Sequence, residues 1–138
     1  VIDMILWENY KNICFIAPFE PPDWPAFAII TAWNPASQRV SERRNWRRDR
    51  ALRRHLTVDL QVAIVGPFWG SDRDERWQES SLAVALSLPQ ARRIAARFGQ
   101  NAFYWVEGGR LWLVSVLIDK SAVCLGNIES FWIARITA

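Results

Sequence analysis

The segment Ser87-Leu88-Pro89-Gln90, with a glycine at Gly99, restricts this chain more than any other feature. Serine with glutamine three positions on is a capping box, and proline is tolerated in a helix only in its first turn. A glycine just past the end supplies the left-handed residue that stops a helix, so the spacing predicts a helix over 88–98. Leu88, Ala91, Ile94, Ala95 and Phe98 share one face of it while Arg92, Arg93 and Arg97 lie elsewhere, so one side must be buried against something apolar.

Sheet strands are the nearest apolar partners. "AFAIITAW" (26–33), "LQVAIVG" (60–66), "WQESSLAVALS" (77–87) and "NAFYWVE" (101–107) read as strands, with "PFWGSDRDER" (67–76) as the loop between the middle two. A Gly108-Gly109 turn joins the last of them to "RLWLVSVL" as a hairpin. The segment Val40 to Leu56 reads as a second helix, with Ser41 as its cap and Glu42 well placed against the helix dipole. From Ala26 to Glu107 the order is therefore strand, helix, strand, strand, helix, strand. Two β-α-β halves in this order predict an α+β fold, the ferredoxin-like plait, with both helices on one face of an antiparallel sheet. Outside this core of about 26–117 lie an N-terminal helix (Ile2 to Tyr10), a strand "NICFIA", a proline-rich connection "PFEPPDWP" and a C-terminal "ESFWIARI" that reads as an edge strand.

The 138 residues suit one domain, 1–138, with a single sizeable core. No apolar run approaches the roughly 18 uncharged residues that span a bilayer. Asp3 and Glu8 interrupt the opening "VIDMILWENYK" where a signal peptide would be apolar, so the expectation is a cytoplasmic protein without a membrane partner. Cys14 and Cys124 sit in apolar settings and read as buried free thiols.

Several chemistries lack their residues. His55 is the only histidine and no C-x-x-C or H-E-x-x-H occurs, so no His/Cys metal site is expected. There is no G-x-S-x-G around Ser80 and Ser81, no phosphate-binding G-x-x-x-x-G-K-[ST] and no G-x-G-x-x-G, so neither a serine nucleophile nor a nucleotide cofactor is implied. Asp72, Asp74, Glu75 and Glu79 lie close in sequence, but Arg73 and Arg76 are interleaved with them and neutralise such a loop.

Charge is local. Net charge is only +3, yet 15 of the 17 basic residues are arginine and eight fall between Arg39 and Arg54. At about 100° per residue, Arg43, Arg47, Arg50 and Arg54 form a one-sided stripe free of acids, a candidate anion-binding face. Leu52 and Leu56 point the other way together with Asn45 and Asp49, with Arg48 at the edge. Polar groups on an inward face need partners, so they cap backbone or line a pocket. In a β-α-β unit Asn34 would stand at the end of the first strand and Asn45 in the first turns of the next helix, beside the usual ligand crevice, with Trp33 as a wall.

The stretches "TAWNPAS", Asn45 with Arg48, "WQESS" and "FGQNA" together resemble a bacterial family catalogued as domain of unknown function 3293, over roughly Ala26 to Leu117. The resemblance implies Asn34, Ser37, Asn45, Glu79, Ser80 and Gln100 as signature positions and carries no activity with it. Candidate pocket residues are thus Trp33, Asn34, Ser37, Asn45, Arg48, Glu79, Ser80 and Gln100.

Three functions fit these residues. The first is non-catalytic binding of an anionic ligand or nucleic acid by the arginine stripe, with Trp33, Trp105 and Trp112 as stacking platforms. The second is an enzyme using Glu79 as acid or base in a polar pocket, and the third is a protein-interaction module. A carboxylate inside a strand needs a partner, and Arg48 is the expected one for Glu79.

Overall fold

The computed structural model describes residues 2–135. In chain order the elements are helix α1 (Ile2–Lys11), strands β1 (Ile13–Ala17) and β2 (Ala26–Thr31), helix α2 (Glu42–Arg54), strands β3 (Ile64–Asp72) and β4 (Gln78–Val84), and helix α3 (Leu88–Arg97). Strands β5 (Ala102–Glu107), β6 (Arg110–Ser115), β7 (Val123–Asn127) and β8 (Trp132–Ala134) follow. Ile136, which ends the stretch read as an edge strand, lies outside the described residues.

Helices α2 and α3 form where their caps place them. Ser41 Oγ accepts from Arg44 N at 3.2 Å to open α2. At α3, Ser87 and Gln90 bond each other's backbone N–H reciprocally, at 3.0 and 3.3 Å. The apolar stripes of both helices, Leu52 and Leu56 from α2 and Ala91, Ile94 and Phe98 from α3, pack against Ile30, Leu82, Val84 and Phe103 on one sheet face. Each large side chain buried there contributes about 1.5–3 kcal/mol.

The expected ferredoxin-like plait is overturned by the sheet. Eight strands form one mixed sheet in the order β7-β6-β5-β2-β4-β3-β1-β8, antiparallel throughout except for the parallel pair β1 and β8. The four strands assigned to the plait are only its middle. The face away from α2 and α3 is buried as well, by Phe15, Phe27, Phe68, Leu111 and Trp132. That face is strongly concave. Strands β1 and β5 stand four places apart, about 19 Å in a flat sheet, yet the rings of Phe15 and Tyr104 meet edge to face at 5.3 Å between centroids. The sheet is therefore curled into a half-barrel, and α1 lies at its opening with Trp7 buried against Leu113 and Ile118.

One strand is shifted along the chain from where the sequence puts it: β3 begins at Ile64, so Leu60 to Ala63 of the expected strand lie outside it, and it runs on past Gly66. The loop expected at 67–76 is strand as far as Asp72, because a register shift between Val65 and Phe68 lets β3 carry Pro67 past its partner β4. Gly66 permits this close approach: a Cβ there would meet Leu82 Cδ2 at 2.9 Å and Ser81 O at 3.1 Å. The extension brings Gly70 beside Glu79 on the concave face.

Candidate functional site

Strand alternation decides which side chains enter the half-barrel. In β4, Glu79, Ser81 and Ala83 take the concave face, while Ser80 and Leu82 point toward the helices. Thr31 of β2 pairs with Ser81 and faces the same way. Between this face and α1 lies a hollow of about 400 Å³. Phe15, Ile29 and Tyr104 give it apolar walls, and Tyr10, Thr31 and Glu79 are among its polar ones.

Glu79 is half-buried and water reaches it through this hollow. Burial pushes its carboxyl up to about 7, while hydrogen bonds from the Asn34 and Trp77 side chains and then the Arg39 charge pull it back. Tyr104 on the facing strand is held above its usual range, chiefly by burial and then by the Glu79 charge.

Asn34 organises the wall beside it. Its Nδ2 donates to Glu79 Oε2 at 2.8 Å, and its Oδ1 accepts from Asn45 Nδ2 and from Val40 N, each at 3.0 Å. Its own backbone N donates to Asn45 Oδ1 at 2.8 Å, so two buried amides satisfy each other. The chain turns sharply to allow this, with Asn34, Ala36 and Ser37 at φ 45°, 55° and 60°. Three residues of positive φ in four store strain that the surrounding bonds must hold. Ser37 thereby reaches the Tyr10 hydroxyl, and Asn101 Nδ2 donates to that hydroxyl at 3.0 Å. Tyr104 donates to the Tyr10 carbonyl at 2.6 Å. These bonds fasten α1 to the rim.

The candidate residues divide into groups. Ser37, Glu79 and Gln100 line the hollow; Trp33, Asn34 and Asn45 line a second, more open one that shares Trp77 with the first. The bond from Asn34 to Glu79 joins the two. Gln100 Nε2 donates to the carbonyls of Trp33 and Phe98 at 3.1 and 3.2 Å, which ties β2 to the end of α3. Arg48 and Ser80 line neither hollow. Arg48 is not the partner of Glu79: its Nε donates to Ala32 O at 2.6 Å and its Nη2 to Phe98 O, so it clamps the strand end to the helix end. Ser80 Oγ is buried on the helix side without a partner among the described residues.

Trp33 stands edge to face with Trp46 and Trp69, at 5.0 and 5.6 Å. Trp33 and Trp105 are buried and Trp112 packs against the core under the helices, so none of the three is an open stacking platform. Arg43, Arg47, Arg50 and Arg54 are exposed, and none forms an ion pair among the described residues. No helix among those residues is long and apolar enough to cross a membrane.

Sequence reasoning passed over Tyr10, Thr31, Ser81 and Tyr104 as lining residues. Alternation from Glu79 points to Ser81, but the others depend on the curl and on α1, which no local pattern encodes.

A family model described as "Protein of unknown function (DUF3293)" matches residues 30–103, more than half of the chain and within the span that the motifs cover. Searches of curated proteins and of solved structures find no match. Asn34, Asn45, Glu79 and Gln100 all fall inside the matched stretch, and on that match the chain belongs to the DUF3293 family.

Proposed function

We propose that this chain is a binding domain for a small organic molecule, taken up in the hollow beneath α1 with Glu79 as its polar anchor. The observation that carries this is the placement of the Glu79 carboxylate on the wall of a hollow of about 400 Å³ whose other walls are largely apolar. A concave site of mixed apolar and polar lining is the usual form of a small-molecule site, and this volume falls within the usual range. The Asn34 and Trp77 side chains hold the carboxylate, and of its about four acceptor positions the rest are left for a guest. A carboxyl that titrates near neutrality is also suited to exchange a proton with a bound molecule, so acid or base catalysis would use this same arrangement.

A second reading, an anionic partner such as single-stranded nucleic acid on α2, is favoured by one observation. Arg43, Arg47, Arg50 and Arg54 project into solvent beside half-exposed Trp46, unneutralised by any carboxylate among the described residues. With the sheet tryptophans buried, that reading rests on charge from the helix alone.

A fragment library screened by ligand-observed NMR separates the two. Asn9 is exposed on α1 and lines the hollow, so Asn9→Trp obstructs it with little effect on folding. Fragments should bind the wild type and lose binding to Asn9→Trp at unchanged melting temperature. Hits indifferent to Asn9→Trp, or no hits, would refute the small-molecule reading.

A further inference from the structure

The hollow carries charge of one sign. Asp72 and Glu79 are its only charged lining residues; no lysine, arginine or histidine lines it among the described residues. The stripe on α2 belongs to the other sheet face, and Arg48 is spent on two carbonyls. Arg39 sits across the indole of Trp77, 4.4 Å from the ring centroid, and lines only the second hollow.

The two carboxylates differ in availability. Asp72 Oδ1 already accepts from the backbone N–H of Arg76 and Trp77, at 2.7 and 3.1 Å, and so is used to close a turn. Glu79 takes side-chain bonds only, from Asn34 at 2.8 Å and from Trp77, and a carboxylate has about four acceptor positions. Tyr10 and Tyr104 line the same hollow, their hydroxyls are engaged elsewhere, and an aromatic ring attracts cations to its face.

Resting on the binding reading above, we infer that the molecule taken up here is a small organic cation, an amine or amidine on an apolar or aromatic body, whose charged nitrogen donates to Glu79. An anion would lose its hydration and meet a carboxylate in a hollow that no cation lines, Arg39 acting on Glu79 only from the second hollow, which is strongly unfavourable. A neutral guest would gain the apolar walls but not the charge-assisted bond.

The proton on Glu79 makes the inference measurable. Facing the carboxyl are Asn34 and Arg39 from the loop before α2, Trp77 on its own side, Asp72 on β3, Tyr10 on α1 and Tyr104 on β5. A carboxyl titrating at about 7 is about nine-tenths protonated at about pH 6 and about nine-tenths ionised at about pH 8. Affinity for a permanently charged guest should therefore rise about tenfold between those values.

The test is calorimetric titration of the whole chain with phenethylamine, phenylethanol and phenylacetate, which share a body and differ in charge. Phenethylamine should bind about tenfold more tightly than phenylethanol at about pH 8, phenylacetate should bind more weakly than either, and the amine's advantage should fall as pH is lowered. Glu79→Gln, which can still accept from Asn34, should erase both the preference and its pH dependence. Equal binding of amine and alcohol, or preference for phenylacetate, overturns the cation assignment while leaving the hollow as a binding site. Binding by none of the three also overturns it for aromatic amines, and the fragment screen with Asn9→Trp then decides separately whether the hollow binds anything. If Glu79→Gln does not fold, the pH dependence of the wild type decides alone.

Discussion

The side-chain amide of Asn34 donates to Glu79 Oε2 at 2.8 Å, and the two bonds received by its carbonyl oxygen fix which way that amide points. A flipped amide would set oxygen against carboxylate and leave Asn45 Nδ2 and Val40 N without an acceptor. The donor is therefore built in by the fold, and a left-handed asparagine is one of the few residues able to supply it at φ 45°.

Asn34→Asp tests this bond, since it keeps the shape and the acceptor but replaces the donor with a second carboxylate. The pair would then share one proton at low pH and repel at high pH. Unfolding by denaturant should show a small loss at about pH 5 and a loss of about 2 kcal/mol at about pH 8. Equal losses at both would mean that the amide does not face Glu79.

Glu79 itself predicts a pH effect of definite sign. Its folded value, about 7, lies above the unfolded one near 4.5, so the folded state holds the proton more tightly between them. The stability it contributes is present below about pH 4.5 and is lost as pH rises through about 7. Glu79→Gln should thus flatten the decline and, above about pH 7, stabilise the protein by about 1–2 kcal/mol, the full shift being discounted for contact with water in the hollow. Melting curves of both forms across this range check it. A wild type minus variant difference that does not change with pH would contradict it.

The arginine stripe makes a separate prediction. Replacing two of Arg43, Arg47, Arg50 and Arg54 with glutamine leaves Leu52 and Leu56 in the core, so stability should change by about 0.5 kcal/mol or less. If α2 contacts phosphates, each lost arginine lowers the slope of log affinity against log salt by about 0.7 for a random single-stranded oligonucleotide. Absence of wild-type binding at low salt would reduce the stripe to a solvated helix face.

Local signals in the sequence were sufficient for α2 and α3, because a cap and an apolar stripe are short-range features. Asn34, Asn45 and Glu79 were also legible as polar groups in apolar settings that required partners. What was not legible was the company they keep. Arg48 was paired in expectation with Glu79 on charge alone, whereas the curl and the packing of α3 present it with the Ala32 and Phe98 carbonyls first. The plait failed for a related reason: its β-α-β order is a local pattern, while the concave second face of β2 to β5 is closed over by β1, β6, β7 and β8, which lie at the two ends of the chain. Pro67 concealed the second half of β3, and with it the strand that places Gly70 beside Glu79.

The most direct measurement is a backbone amide shift map of the protein during titration with fragments found by the NMR screen. Binding in the hollow should move the amides of Thr31, Gly70, Glu79, Ser81 and Tyr104, which line it from four strands, together with Tyr10 on α1. The amides around Arg43, Arg47, Arg50 and Arg54 should stay in place. Shifts concentrated on α2, with those around Glu79 unmoved, would contradict a small-molecule site beneath α1.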